Sequence, residues 1–225
     1  METTKKTNAQ VDEQAAKAAA IKNQKMMKMA MYVGGGILGV VILVFLYITF
    51  YVKPNNEAAE AEISKVDEEM IMLQQQQQPS DSVLINVAKK YEVIANKYSN
   101  DLGDRAAAAA VGLYYKVGQY DKAIAMADKY SSMGSEAIDA GVECTKGDCY
   151  VNKNKLDEAL ASYESALSKA NNNPELVPYI WAKQARVYHA KKDYAKEVEL
   201  LEKIDKEYPK KSNKIDLERA KLLKK

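Results

Sequence analysis

The side chains that carry most metal and acid–base chemistry are scarce in this sequence of 225 residues, which has two cysteines and one histidine. Two cysteines are too few for a disulfide framework or a zinc site, and His189 has no second imidazole with which to hold a metal. No Ser–His–acid set, glycine-rich phosphate loop or pair of catalytic carboxylates can be read at a meaningful spacing. We therefore predict a protein that is not an enzyme and that uses no cofactor or metal.

The two cysteines, Cys144 and Cys149, lie five residues apart in a segment with a helical pattern. On a helix this separation rotates them by about 140° and places their Cα atoms beyond the range of an unstrained disulfide. We interpret them as small packing residues. An oxidised pair would require a break in the helix, for instance at Gly147.

Charged residues are absent from one long stretch, residues 29–52, which is bounded by Lys28 and Lys53. A helix of that length is about 36 Å long and can cross a hydrocarbon core of about 30 Å. The sequence therefore predicts one transmembrane helix at 29–52. A cleaved signal peptide is disfavoured, because it has a shorter apolar region and a shorter leader. A lipoprotein is disfavoured as well, because neither cysteine directly follows the apolar run.

The flanks of this span differ in charge. Residues 1–53 hold seven lysines and three acidic residues, a net charge of +4, which leaves −2 for residues 54–225 against the total of +2. The positive-inside rule then assigns residues 1–28, a basic leader, to the cytoplasm and the rest of the chain to the far side. The lysines next to the span also favour contact with anionic lipid, and the acidic remainder offers no basic face for nucleic acid.

Gly35 and Gly39 form a small-xxx-small pair within the span. Such a pair lets two membrane helices approach closely, as in a homodimer, but membrane helices also tolerate glycine without any partner. Both interpretations remain open at this stage.

Beyond the span we predict an all-α protein. Pro54 is expected to break the helix, and residues 53–81 read as a stalk helix followed by a glutamine-rich linker. Residues 82–212 show a repeating helical pattern, and residues 213–225 a capping helix. The repeat is marked by equivalent positions 36 and 38 residues apart, which are Tyr114, Gly118, Tyr120, Ala123 and Tyr130; Tyr150, Asn154, Leu156, Ala159 and Ala166; and Tyr188, Lys192, Tyr194, Glu197 and Ile204.

This spacing resembles the tetratricopeptide repeat, a pair of antiparallel helices of about 34 residues that stacks into an α-solenoid. The resemblance implies hairpins at about 104–136, 140–172 and 178–210, preceded by a half pair at 82–98. The last copy departs from the pattern, because Glu197 stands where a small residue is expected. Gly147 is the only glycine at the position where the two helices of a pair cross.

Arrays of this kind bind proteins on an inner wall formed by the first helix of each pair, and the resemblance implies where that wall lies. The Lys and Asn residues with which chaperone-docking members clamp a terminal carboxylate are absent here. The positions predicted for the wall are Arg105, Ala108, Gly112, Tyr115, Lys116, Cys144, Asp148, Val151, Asn152, Tyr179, Ala182, Arg186 and His189.

The layout as a whole is similar to the ancillary Sec-translocon subunit family of bacterial envelope proteins. The similarity is closest in N-K-L-D-E-A-L, K-A-N-N-N-P and K-K-D-Y-A-K-E-V-E-L-L-E-K-I-D-K-E-Y-P, between Asn152 and Pro209. It implies a non-enzymatic inner-membrane adaptor with a periplasmic array, whose partners are translocon channel subunits and periplasmic chaperones or exported chains. A homo-oligomeric envelope scaffold, and an organellar import receptor with a cytosolic array, are the alternatives.

Overall fold

We describe the protein from a computed structural model, which defines the backbone of residues 2–75 and 79–224 and the side chains of residue 17 and of residues 22–75 and 79–224. Every regular element in this part of the chain is helical, as the sequence predicts. The helices are α1 (Glu2–Tyr47), α2 (Lys53–Gln75), α3 (Asp81–Lys97), α4 (Asp101–Lys116), α5 (Tyr120–Lys129), α6 (Glu136–Asn152), α7 (Leu156–Lys169), α8 (Leu176–Ala190), α9 (Tyr194–Glu207) and α10 (Lys214–Leu223). A π-helical turn spans Ile48–Val52, and a 3-10 turn spans Pro209–Lys211. The chain divides into two units between Asn55 and Asn56.

The first unit carries the apolar run. Its large apolar side chains, such as Ile37, Leu43 and Phe50, are exposed, as expected of residues that face lipid. Among the described residues, one helix is long and apolar enough to cross a membrane, which fits a single-pass membrane protein. A Cβ atom built on Gly35 or Gly39 would meet no other atom within 4 Å, so both glycines are open on the helix surface.

The predicted break at Pro54 is wrong, because α2 begins at Lys53 and continues through the proline. Proline is tolerated in the first turn of a helix, where its missing N–H costs no intrahelical hydrogen bond. The π-helical turn precedes it, and there the Lys53 N–H donates to the Ile48 carbonyl. Such a turn shifts the register of the backbone hydrogen bonds and so accommodates Pro54 in a helix that continues.

In the second unit, α2 packs against α3 instead of forming a solvated stalk. Ala59, Ile63 and Val66 are buried in the first of two hydrophobic cores. The Tyr91 hydroxyl on α3 donates to Asp67 at 2.6 Å, and Asp67 also pairs with Arg105 on α4. Helix α3 is therefore not an unpaired half, and the array begins one helix earlier than predicted. Residues 76–78 of the predicted glutamine-rich linker lie outside the described residues.

The three predicted hairpins are present as α4–α5, α6–α7 and α8–α9. Each first helix ends at an equivalent residue in the left-handed region: Gly118 (φ 72°), Asn154 (φ 56°) and Lys192 (φ 59°). The following N–H donates back across the turn, which is the Schellman arrangement that closes a helix end. These bonds are Gln119 to Tyr114 (2.8 Å), Lys155 to Tyr150 (2.8 Å) and Asp193 to Tyr188 (2.9 Å).

Helix α6 joins the two cores. Val142 and Cys149 belong to the core that α2–α5 build, whereas Ala140 and Cys144 belong to the core of α7–α10. The predicted capping helix is present as α10 and buries Leu217 in the second core.

In two of the three pairs the second helix carries the small residue that the repeat pattern predicts. Ala123 and Ala159 are fully buried. In the third copy Glu197 is also buried, and both oxygens of its carboxylate lie close to His189 Nδ1, at 2.9 and 3.1 Å. The histidine supplies the hydrogen-bond partner that a buried carboxylate needs. The departure of this copy from the repeat pattern is thus compensated within the pair.

Candidate functional site

A pocket opens where α4, α6, α7 and α8 meet, on the side formed by the first helices of the three hairpins. Its volume is about 260 Å³. The lining residues are Tyr115, Asp148, Val151, Asn152, Leu156, Tyr163, Lys183, Arg186, Val187 and Ala190.

The polar part of this pocket is a three-residue network centred on Asp148. The Lys183 ammonium donates to both carboxylate oxygens at 2.8 Å, and the Tyr163 hydroxyl donates to one of them at 2.6 Å. The Lys183 and Asp148 side chains are 14% and 19% exposed, and Tyr163 is buried. The two charges therefore neutralise each other within the protein.

Burial and this ion pair also set the protonation states. Burial raises the pKa of Tyr163, and the hydrogen bond to Asp148 raises it further. Burial likewise raises the pKa of Tyr115. For Lys183, burial disfavours the charged form, but the hydrogen bonds to Asp148 and its charge outweigh burial and raise the pKa. The phenols are neutral and Lys183 is charged at neutral pH.

The rest of the lining is apolar, apart from Asn152 and one unpaired cation. Val151, Leu156 and Val187 supply aliphatic surface, and the Tyr115 ring lies 6.0 Å from that of Tyr120. The Arg186 guanidinium is exposed and, among the described residues, has no carboxylate partner. The pocket can therefore take an apolar side chain and a neighbouring negative charge.

A comparison with known families places a repeat at the floor of this pocket. The family profile of the tetratricopeptide repeat matches residues 144–173. The matched range covers the second half of α6 and all of α7, including Asp148 and Tyr163. No curated protein sequence matches the chain. Because the chain contains a tetratricopeptide repeat, it has a fold element that generally serves protein–protein interaction and not catalysis.

The three hairpins bring part of the predicted wall together. Five of the thirteen residues predicted for the wall line the pocket, namely Tyr115, Asp148, Val151, Asn152 and Arg186. These residues come from the first helices of three successive hairpins.

Other predicted wall residues are engaged elsewhere in the protein. Arg105 is ion-paired with Asp67 and lies 3.7 Å from Glu60, both on α2. Ala108 packs against the first core. His189 is bound to Glu197. We therefore do not count these residues as free contact surface.

The remaining predicted positions fall into two groups. Gly112, Lys116 and Tyr179 are exposed but do not line the pocket; the ring of Tyr179 lies 4.9 Å from the Lys183 ammonium. Cys144 is buried in the second core and Ala182 packs against it, so neither is free wall surface.

Sequence reasoning missed two residues that define the pocket, Tyr163 and Lys183. Tyr163 lies on a second helix, which the repeat pattern assigns to packing. Its ring reaches the pocket because Gly147 gives it room: a Cβ atom on Gly147 would lie 2.5 Å from the ring. Lys183 is one turn after Tyr179 on α8, so the helical period of the predicted wall was the available signal.

The thiols offer no chemistry at this site. Cys144 and Cys149 are free and buried, and they face different cores of an uninterrupted α6. Burial raises the pKa of each thiol to about 12, which keeps both in the unreactive protonated form. Within the described residues, no group of three or more His, Cys, Asp or Glu side chains is arranged to hold a metal ion.

Proposed function

We propose that the protein is a membrane-anchored adaptor, an ancillary subunit of the Sec translocon that links the channel to periplasmic chaperones or exported chains. In this arrangement residues 29–52 lie in the bacterial inner membrane, residues 1–28 remain cytoplasmic, and the array is periplasmic. The observation that carries the binding role is the pocket built by three successive first helices, with aliphatic walls and the unpaired Arg186. The translocon as the partner rests on the layout of the chain and on its closing repeats.

The pocket suits a segment of a partner that is not fully folded. An apolar side chain gains about 25 cal/mol for each Å² that it buries against walls such as Val151 and Val187. A carboxylate on the same segment pairs with Arg186, whereas Lys183 is already neutralised by Asp148. Acidic and apolar segments should therefore bind better than basic ones.

Site-specific photo-crosslinking in living cells tests the proposal. Probes replace Ile42 in the span and Tyr115 and Val151 in the pocket, and a probe at Ala125, which is exposed on α5, serves as the matched control. We expect Ile42 to capture a channel subunit and the pocket positions to capture chaperones or exported chains, with no such adducts at Ala125.

Two other outcomes would contradict the adaptor. If no channel subunit is captured at Ile42, the proposed attachment to the translocon fails. If every adduct is the protein itself, a homo-oligomeric scaffold that uses Gly35 and Gly39 becomes the better explanation. A Gly35→Leu/Gly39→Leu variant would then lose its self-association.

A further inference from the structure

A second and more polar groove lies between α7 and α9, on another face of α8. Its volume is about 490 Å³, and α8 contributes Trp181, Gln184 and Tyr188 to it. The pocket on the inner wall uses Lys183 and Arg186 instead. One helix thus separates two distinct openings, and the groove is independent of the function proposed above.

The unusual feature of the groove is the Gln184 carboxamide. Gln184 is only 6% exposed, it lines the groove, and no described residue hydrogen-bonds with its side chain. Its amide still reaches the groove, because among the described residues only Asp205 has a side-chain polar atom that is both inaccessible and unpaired. A carboxamide has two donors and two acceptor sites, so the Gln184 amide is available to a ligand that carries both a donor and an acceptor.

Two aromatic side chains, Trp181 and Tyr188, line the groove with Gln184, and a lysine ammonium lies close to each ring. The Lys203 ammonium lies 4.0 Å from the Trp181 ring centroid, and the Lys196 ammonium lies 5.1 Å from that of Tyr188. Leu200 adds aliphatic surface to the groove. An apolar side chain of the ligand would find its contact here.

Net charge does not select the ligand. Lys196 and Lys203 line the groove together with Glu164 and Glu199, so the two signs balance. A neutral group with a paired donor and acceptor matches these walls, and the peptide bond is the commonest such group.

The length of the groove points to a chain and not to a single side chain. Its α8 residues extend from Val177 to Tyr188, which is roughly 16 Å at 1.5 Å per residue. An extended chain covers that distance with about five residues. We propose that this groove binds an extended polypeptide segment, whose backbone amide pairs with Gln184 and whose apolar side chain packs on Leu200 beside Trp181.

Trp181 is the only tryptophan in the chain, so its emission reports directly on the groove. The test uses the full chain in nanodiscs and titrates it with a capped pentapeptide of serine and alanine that has leucine at its centre. Three comparisons accompany it: the same peptide N-methylated at the leucine nitrogen, a Gln184→Leu variant, and an Arg186→Gln variant that alters only the inner pocket. Melting curves establish that both variants are folded.

We expect a saturable change in Trp181 emission with the unmodified peptide. Loss of a hydrogen bond should weaken binding about tenfold both in Gln184→Leu and for the N-methylated peptide. Binding should be unchanged in Arg186→Gln and nearly independent of salt, because the groove has no net charge. Absence of saturation, equal binding of the two peptides, or loss of binding in Arg186→Gln would each overturn the proposal. The N-methylated peptide decides the question without any mutation, and none of these results bears on the crosslinks at Ile42.

Discussion

Replacing Asp148 by alanine should destabilise the array more than the loss of any exposed ion pair. The substitution removes the carboxylate that neutralises Lys183 and accepts a hydrogen bond from the Tyr163 hydroxyl. It leaves an ammonium that is only 14% exposed, with the Tyr179 ring 4.9 Å away and no carboxylate, and a buried phenol without a partner. The cost is therefore that of two stranded polar groups and not that of one lost attraction.

The magnitude follows from the burial of these groups. Removing one partner of a buried ion pair typically costs 3–5 kcal/mol. Because some water still reaches both Lys183 and Asp148, we take the lower end, about 3 kcal/mol. For a folded unit of this size that corresponds to a fall in the melting temperature of about 6–12 °C.

A thermal melt of the full chain, followed by circular dichroism, measures this effect. Asp157→Ala is the matched control, because Asp157 also pairs with a lysine but is 83% exposed, and its loss should cost less than about 1 kcal/mol. In the double variant Asp148→Ala/Lys183→Met no charge is stranded, so it should recover about 2 kcal/mol.

Two results would refute this reasoning. The first is a melting temperature for Asp148→Ala within about 2 °C of that of the control, which would mean that the network is solvated. The second is a double variant that is no more stable than Asp148→Ala, because Lys183 would then not be the group that the carboxylate protects.

Three further predictions concern groups that the fold buries. Gly147→Ala should destabilise the protein by about 2 kcal/mol, because its Cβ would lie 2.5 Å from the Tyr163 ring. The control Gly141→Ala, on the same helix, meets nothing within 4 Å and should be neutral or stabilising in the same melt. Equal effects of the two substitutions would contradict the close approach of Tyr163 to Gly147. His189→Ala should lower the free energy of unfolding by about 2–3 kcal/mol, because it leaves the Glu197 carboxyl buried without a partner. Adding Glu197→Ala should restore most of that stability. A His189→Ala protein as stable as the wild type would show that the pair is dispensable. The folded state raises the pKa of Tyr163 above its ordinary value of 10.0, so the stability that the neutral phenol contributes is complete below pH 10 and is lost as the pH rises beyond it. In denaturant titrations, Tyr163→Phe should therefore lose less stability above pH 10 than the wild type does, by up to about 1.4 kcal/mol per pH unit. Parallel curves for the two proteins would argue against a buried phenol.

The parts of the fold that were predictable from the sequence depend on local spacing. Gly118, Asn154 and Lys192 occur at similar intervals, of 36 and 38 residues, and each closes the first helix of a hairpin. The left-handed turn requires only a short-range pattern, so the sequence marks it even where the residue is a lysine. The all-α class and the apolar run follow for the same reason.

The role of α2 was not predictable in this way. Ile63 and Val66 show a single apolar stripe, which looks the same whether the helix stands alone or covers a neighbour. Whether the helix is solvated or packed depends on the helices next to it. Here Asp67 of α2 accepts a hydrogen bond from Tyr91 on α3 and pairs with Arg105 on α4. A polar helix with a narrow apolar stripe is therefore predicted as a stalk.

The candidate pocket was half predictable. Tyr115, Val151 and Arg186 follow from the rule that first helices form the inner wall. The network at its floor does not, because it depends on how closely α6 and α7 approach. That distance is set by Gly147, whose missing Cβ admits the Tyr163 ring.

The position of the pocket in the array also bears on how binding would act. In a repeat protein, stability is the sum of the units and of the interfaces between neighbours. Within the described part of the chain, α6 alone contributes to both cores, so the interface on either side of it decides whether the two halves unfold together. The pocket lies across that helix, with Tyr115 before it and Arg186 after it. A segment bound there contacts both halves at once and adds its binding free energy to the interface. Occupancy would therefore make the array more cooperative, and weakening the Asp148 network would make it less so.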